Sequence, residues 1–156
     1  MHMTKYEKLL IESEELGAKV FEIDFSTCKP CAKCKAQNIY INSKSTNKEK
    51  YCLLLEELGH YLTTYGNITD QTNIINKKQE LFARRWGCEH SVTLVGIINA
   101  FEYGAKNLFE VSDFLGVTET HLLDCLENYK KKYGIGTSLE NYYVSFEPVF
   151  GVYKSL

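Results

Sequence analysis

Apolar residues recur every three or four positions along much of the chain, a spacing that predicts helices with one buried face. The first such stretch contains Tyr6, Leu9 and Leu16. Helices are predicted over residues 5–16, 46–63, 72–86, 92–103, 108–115 and 118–132. Thr46 and Glu49 have the spacing of a capping box, which favours the start of the second helix at residue 46.

Three shorter stretches predict strands. Residues 19–25 alternate between apolar and polar side chains, so they are expected to face a core on one side, and residues 38–42 form a second strand. These two are predicted to form a hairpin or to be neighbours in one sheet, with the Cys- and Lys-rich residues 26–36 as a loop between them. Residues 142–146 predict a closing strand, and a turn is expected at residues 66–67. The order of elements predicts an α+β fold.

Length and composition indicate a globular domain. The 156 residues, of which 44% are hydrophobic and 24% charged, are enough to bury a core. A net charge of −2 gives no general attraction to phosphate, so no direct nucleic-acid partner is expected. No apolar run approaches the roughly 18–20 residues of a membrane span, and no signal peptide is predicted. The six cysteines are therefore expected to be reduced thiols in a cytoplasmic protein.

The helix predicted over residues 46–63 carries the most distinctive chemistry. Glu56 and His60 are four residues apart and so share one helical face, with Glu57 beside them. This is the geometry of the H-E-x-x-H zinc motif, with Glu56 in place of the first His. Such short patterns also recur by chance on exposed faces, and taken alone the spacing favours that interpretation. Gly59 within the helix suggests that another element approaches closely there.

The following helix offers a third ligand. Glu80, Ala83 and Gly87 lie along one line, so the carboxylate stands on a face of small residues that another helix can approach. An ordinary solvated carboxylate beside Lys77 and Lys78 is an equally good interpretation of the spacing. A catalytic zinc takes three protein ligands and leaves one position for water.

The run Y-C-L-L-L-E-E-L-G-H at residues 51–60, followed by K-Q-E-L-F-A-R-R-W at residues 78–86, resembles the ImmA/IrrE metallopeptidases of phages and integrative elements. The resemblance extends over most of the chain and implies a small zincin-like peptidase core, with a helical lobe, a closing strand and a tail after it. The corresponding ranges are residues 1–90, 91–133 and 134–156, expected to form one compact unit.

The resemblance also implies a function. Glu56, His60 and Glu80 would hold one Zn²⁺ or another divalent ion per chain, and Glu57 would be the catalytic base. The expected activity is endoproteolysis of a cytoplasmic helix-turn-helix repressor, which would derepress phage or mobile-element genes. Two carboxylates largely neutralise the ion and weaken it as a Lewis acid. A catalytically weak or inactive anti-repressor of the same fold is therefore the alternative.

Two further groups of residues have open roles. Cys28, Cys31 and Cys34 share one loop, and free thiols are favoured there over a second metal site or a redox role. The candidates for stabilising an oxyanion are Tyr61, Tyr65, His90 and Tyr103.

Residues 109–123 have helix-turn-helix character. The second of these helices presents Glu119, Asp124 and Glu127, however, and these acids oppose DNA binding. A lobe that helps to position a protein substrate is the favoured interpretation. His90 and His121 are expected to be surface or otherwise satisfied polar residues.

Overall fold

The computed structural model describes residues 2–64 and 73–156, and these residues form an α+β protein with helices and two small three-stranded sheets. The chain divides into two compact units, Met1–Gly87 and Cys88–Leu156. The predicted turn at residues 66–67 and the predicted helix start at residue 72 lie outside the described residues. None of the described helices is long and apolar enough to span a membrane.

The first unit contains one sheet and the helices that position the candidate site. Its elements in chain order are α1 (Lys5–Glu15), β1 (Lys19–Ile23), β2 (Ala32–Lys35), β3 (Asn38–Asn42), α2 (Asn47–Thr64) and α3 (Asn73–Ser91), the last of which continues into the second unit. Strand β3 is central, with β1 parallel on one side and β2 antiparallel on the other. The predicted strands at residues 19–25 and 38–42 are therefore confirmed as sheet neighbours, and the hairpin alternative for them is wrong.

Strand β2 corrects the prediction of a loop over residues 26–36. It forms a tight hairpin with β3 through a turn at Ala36, whose φ of 54° lies in the left-handed region. The four residues of β2, A-K-C-K, alternate between small and charged side chains, but they include none of the β-branched or aromatic residues typical of strands. They become a strand because the backbone of β3 pairs with them, a tertiary effect that local sequence does not show.

The predicted orientation of β1 is wrong. Phe21 and Ile23 are each 42% exposed, so these apolar side chains do not face the core. Glu22 between them instead accepts hydrogen bonds from the Tyr6 hydroxyl of α1 and the Lys50 ammonium of α2, both at 2.9 Å. Alternation identifies the strand, but this polar network decides which of its faces the helices cover.

The core of the first unit lies between the sheet and helices α1 and α2. Leucine and isoleucine side chains dominate it, and the fully buried ones are Leu9, Ile39, Ile41, Leu54, Leu55 and Leu58. Ile39 and Ile41 are two residues apart on β3 and so share one face of the sheet.

The predicted capping box of α2 is confirmed, because Thr46 and Glu49 exchange hydrogen bonds between side chain and backbone.

The second unit contains three helices followed by an antiparallel sheet. The helices are α4 (Leu94–Tyr103), α5 (Leu108–Leu115) and α6 (Glu119–Tyr133), and the strands are β4 (Gly136–Leu139), β5 (Tyr142–Ser145) and β6 (Gly151–Lys154), in the order β4-β5-β6. Thr93, Asn107 and Thr118 cap the three helices, which confirms the predicted helices to within two residues. The Tyr129 ring of α6 stacks on Phe146 at a centroid distance of 5.6 Å.

The second unit confirms one expectation and corrects another. The strand predicted over residues 142–146 is confirmed as β5, and the strands β4 and β6, which were not predicted, pair with it on either side. The expectation that all six cysteines are reduced thiols is wrong, since Cys88 and Cys125 form a disulfide. Their Cα atoms lie 5.2 Å apart although 37 residues separate them in sequence. Only the tertiary fold brings them together.

Candidate metal centre

The candidate site is built on α2, which carries Glu56, Glu57 and His60 on adjoining positions of its surface. His60 and Glu57 are half-buried, and Glu56 is exposed. The helix is anchored through its opposite face, where Leu54, Leu55 and Leu58 are fully buried. The polar residues of α2 therefore lie on the side of the helix away from this core, next to α3.

Helices α2 and α3 approach each other closely at two glycines. A Cβ atom on Gly59 would lie 2.5 Å from the carbonyl oxygen of Ala83, a distance that only a residue without a side chain permits. A Cβ on Gly87 would meet Leu55 at 3.6 Å, which is ordinary van der Waals contact. The sequence-based expectation of a close approach at Gly59 is confirmed. The predicted end of α3 near Gly87 is wrong, because Gly87 lies inside a helix that continues to Ser91.

This close packing brings Glu80 to His60. The Oε2 atom of Glu80 lies 3.6 Å from Nδ1 of His60, and Oε1 of Glu56 lies 3.9 Å from Nε2 of the same ring. One ligand atom from each of the three residues lies within 4.8 Å of the other two. Arg84, one turn further along α3, holds the other oxygen of Glu80 at 3.4 Å.

The donor set fits a divalent cation. Two carboxylates and an imidazole are common zinc ligands, and in tetrahedral zinc sites the ligand atoms lie about 3.4 Å apart. The 3.6 and 3.9 Å contacts are close to that spacing. Because the two carboxylates face different nitrogens of the ring, an ion would take one nitrogen of His60 and require a side-chain rotation of one glutamate.

The carboxylates raise the pKa of His60. The largest contribution comes from the adjacent Glu56, burial acts in the opposite direction, and Glu80 and Glu57 add to the rise. A proton on the ring is therefore stabilised by the same negative charge that would stabilise a metal ion. Proton and metal compete for this group of side chains.

Glu57 is held in surroundings suited to a base. Burial raises the pKa of its carboxyl above the ordinary value, Glu56 and Glu80 act in the same direction, and His60 opposes them. The backbone N–H of Cys34 also lowers it by a hydrogen bond to the carboxylate. A glutamate whose pKa is raised towards neutrality accepts and returns a proton more readily.

Cys34 places strand β2 beside the candidate site. This strand is at one edge of its sheet, and the N–H of Cys34 reaches Glu57 of α2. Burial and the nearby Glu57 raise the pKa of the Cys34 thiol. This contact was not predicted, because it is made by the backbone of a strand that was expected to be a loop.

Asn42 fixes the segment that leads into β2. Its side chain is fully buried at the end of β3 and donates to the carbonyls of Thr27 and Lys29 at 2.8 and 2.9 Å. Its Oδ1 accepts from the backbone N–H of Lys44. Sequence reasoning missed this residue, although an asparagine at a strand end followed by Ser is a typical turn signal.

The cysteine triplet and the oxyanion candidates were also predicted from the sequence. Cys28, Cys31 and Cys34 are free of disulfides, and they are not among the groups of three metal-ligand types found close together in the described residues. The Tyr61 hydroxyl donates to the carbonyl of Leu16 at 3.2 Å. Tyr65 lies outside the described residues, and His90 and the 82% exposed Tyr103 belong to the second unit.

A second group of ligand-type residues was not predicted. Cys88, His121 and Cys125 lie together in the second unit, each with a ligand atom within 4.8 Å of the others. The spacing of His121 and Cys125, four residues apart on α6, is the sequence signal that could have indicated it.

Comparison with family models, with curated proteins and with solved structures finds no match to this chain.

Proposed function

We propose that this chain is a zinc-dependent endopeptidase with a zincin-like core. The observation that carries the proposal is the convergence of Glu56, His60 and Glu80, from two helices, to within 4.8 Å, with Glu57 beside them. The resemblance of residues 51–86 to ImmA/IrrE metallopeptidases supports the same assignment. The arrangement of a short sheet, an edge strand and a helix bearing the glutamates and histidine is also consistent with it.

In this proposal Glu56, His60 and Glu80 would hold the ion, and a bound divalent ion would supply Lewis-acid activation of the scissile carbonyl and of the attacking water. Glu57 accepts a proton from the water and passes it to the departing amine. The half-buried position of Glu57 supports this role, because burial raises the pKa of its carboxyl. The hydrogen bond from the N–H of Cys34 orients that carboxylate.

The proposed substrate is a cytoplasmic helix-turn-helix repressor, cut in a segment that can become extended. Strand β2 supports an extended substrate, because it is the edge strand next to Glu57. A peptide can add to such an edge through backbone hydrogen bonds. The choice of a repressor rests on the family resemblance alone.

One observation favours a second candidate function, a catalytically weak or inactive anti-repressor. Two carboxylates surround His60, and both lie within ion-pair distance of its ring. With His60 protonated, the group forms an ion-pair cluster that holds α2 and α3 together without an ion. A protein of this kind would bind the repressor and leave it intact.

The test is proteolysis by the zinc-loaded full chain and by its Glu57→Gln variant, with a library of proteome-derived peptides as the probe. Mass spectrometry of new amino termini should show cleavage by the parent. The variant should keep its zinc and lose cleavage by about 10²- to 10⁴-fold, the typical contribution of a general base.

Glu49→Gln is the matched control for this experiment. It makes the same chemical change at the start of the same helix, where Gln also serves in a capping box. Cleavage by Glu49→Gln should equal that of the parent. A zinc-loaded parent that generates no new termini would contradict the peptidase and favour the anti-repressor.

A further inference from the structure

The second unit holds a cluster of sulfur and nitrogen groups at the junction of α3 and α6. Cys88 comes from α3, and His121 and Cys125 lie one turn apart on α6. Cys88 is 4% exposed and Cys125 is fully buried. Nε2 of His121 lies 3.5 Å from the sulfur of Cys125. Two buried sulfur atoms, joined as a disulfide, and an imidazole thus lie close together.

Two further polar side chains contact this cluster. The hydroxyl of Ser91 lies 2.7 Å from Nε2 of His121, and the side-chain amide of Asn128 donates to the sulfur of Cys88 at 3.6 Å. His121, Cys125 and Asn128 lie at i, i+4 and i+7 on α6, so they form one line along its buried side. An N–H donor to sulfur stabilises a thiolate, the form of cysteine that binds metals.

We propose that Cys88, His121 and Cys125 form a redox-controlled zinc site, of which the structure contains the oxidised, disulfide form. Two thiolates and a neutral imidazole are soft and borderline ligands of the kind that bind zinc. Water or the Ser91 hydroxyl would supply a fourth ligand. This sulfur-rich donor set differs from the oxygen-rich one of Glu56, His60 and Glu80.

The two forms interconvert by a balanced reaction. A thiol reductant such as glutathione supplies two electrons, so that two glutathione molecules become one glutathione disulfide and the Cys88–Cys125 bond becomes two thiols. Binding of Zn²⁺ then releases two protons from these thiols. In the reverse direction, hydrogen peroxide takes two electrons and two protons to give two waters, the disulfide forms again, and Zn²⁺ is released.

The position of His121 distinguishes this site from a purely structural disulfide. A disulfide needs no imidazole, yet the ring nitrogen faces both Cys125 and Ser91. In a tetrahedral zinc site two sulfurs lie about 3.8 Å apart, so reduction lets them separate to accept an ion between them. A hydrogen bond between Ser91 and His121 alone would be the simpler role for the ring, and cobalt binding distinguishes the two roles.

The test is titration of the full chain with Co²⁺, a spectroscopic substitute for zinc, with and without a phosphine reductant. Thiolate ligation gives a near-ultraviolet charge-transfer band, which a site made of glutamates and histidine cannot produce. The band should appear only in the reduced protein and be lost in Cys125→Ser. It should persist when Cys28, Cys31 and Cys34 are all changed to Ser.

His121→Gln keeps the experiment decisive if the cysteine variant fails to fold, because it leaves the disulfide intact. It should weaken Co²⁺ binding at this site by more than about 100-fold, since loss of a group that only orients a ligand already costs about 10- to 100-fold. His90→Gln, on the exposed side of α3, is the matched control and should bind as the parent does. A reduced parent without the band, or a band of unchanged affinity in His121→Gln, would overturn the proposal.

Discussion

At the scale of single residues, His60 stands out because two carboxylates from different helices face its ring. Glu56 lies 3.9 Å from one nitrogen and Glu80 lies 3.6 Å from the other. The spacing of Glu56 and His60 was visible in the sequence because it is local to one helix. The approach of Glu80 could be proposed from its row of small residues, but the pattern could not distinguish it from a solvated side chain.

The titration of His60 gives a prediction for protein from which metal has been removed. Its pKa should lie above the ordinary 6.5, and Glu56→Gln should lower it, because interaction with Glu56 is the largest cause of the rise. Since the folded-state pKa is raised, protonation stabilises the metal-free fold fully below about 6.5. That stabilisation is lost as the pH increases through the folded value.

Imidazole NMR signals followed across pH provide the measurement. Glu49→Gln, on the same helix, should leave the His60 titration unchanged. Titration of His60 at or below 6.5 in the metal-free parent, or no change in Glu56→Gln, would show that the carboxylates do not act on the ring as described.

The carboxylate of Glu22 leads to a prediction about the stability of the first unit. Burial tends to raise its pKa, but hydrogen bonds from Lys50 and Tyr6 outweigh burial and lower it. Glu22→Gln should reduce the free energy of unfolding at neutral pH by about 1 kcal/mol, a value reduced for partial exposure of the carboxylate. Because the folded pKa is depressed, the difference from the parent should disappear as the pH falls through that value, below 4.5.

Urea denaturation at several pH values measures this effect. Glu15→Gln, at the exposed end of α1, is the comparison variant and should stay within about 0.5 kcal/mol of the parent. A Glu22→Gln variant that keeps the parent's acid sensitivity would mean that the carboxylate does not link β1 to the helices.

At the scale of elements, the close contact of α2 with α3 brings Glu80 next to His60. Gly59→Ala should lower the free energy of unfolding by about 1–3 kcal/mol, because the new methyl group overlaps the Ala83 carbonyl. It should also weaken zinc binding, since the helices must separate to accommodate the methyl group and Glu80 moves away from His60.

Gly87→Ala is the matched change on the other side of the same contact. Its methyl group meets Leu55 at ordinary distance, so the variant should gain up to about 1 kcal/mol of helix propensity and keep its zinc affinity. Thermal unfolding and zinc titration of the two variants provide the measurement. Equal behaviour of the two would show that the close approach at Gly59 has no part in holding the site.

The helices were predictable and several strands were not, for one physical reason. Helices α1, α2, α4, α5 and α6 are specified by local spacing and by caps such as Thr46 and Thr118, all within a few residues. Strands β2, β4 and β6 exist because a neighbouring strand pairs with them. Gly87 suggested a helix end, yet α3 continues to Ser91, and Gly87 lies within it beside Leu55 of α2.

At the scale of the whole chain, each of the two units brings together three ligand-type residues of different chemistry. In the first unit the donors are two carboxylates and an imidazole, and in the second they are two sulfurs and an imidazole. Oxygen-rich and sulfur-rich sites differ in their response to reduction and in their cobalt spectra. A single chain can therefore be assayed for both sites separately.

Zinc titration of the oxidised protein by calorimetry tests the proposed metallopeptidase most directly. With the Cys88–Cys125 disulfide intact, the parent should bind one Zn²⁺ per chain. His60→Ala should weaken this binding by more than about 100-fold, while His90→Ala, an exposed histidine of α3, should match the parent. An oxidised parent that binds no zinc, or a His60→Ala variant that binds it equally well, would contradict a metal centre at Glu56, His60 and Glu80.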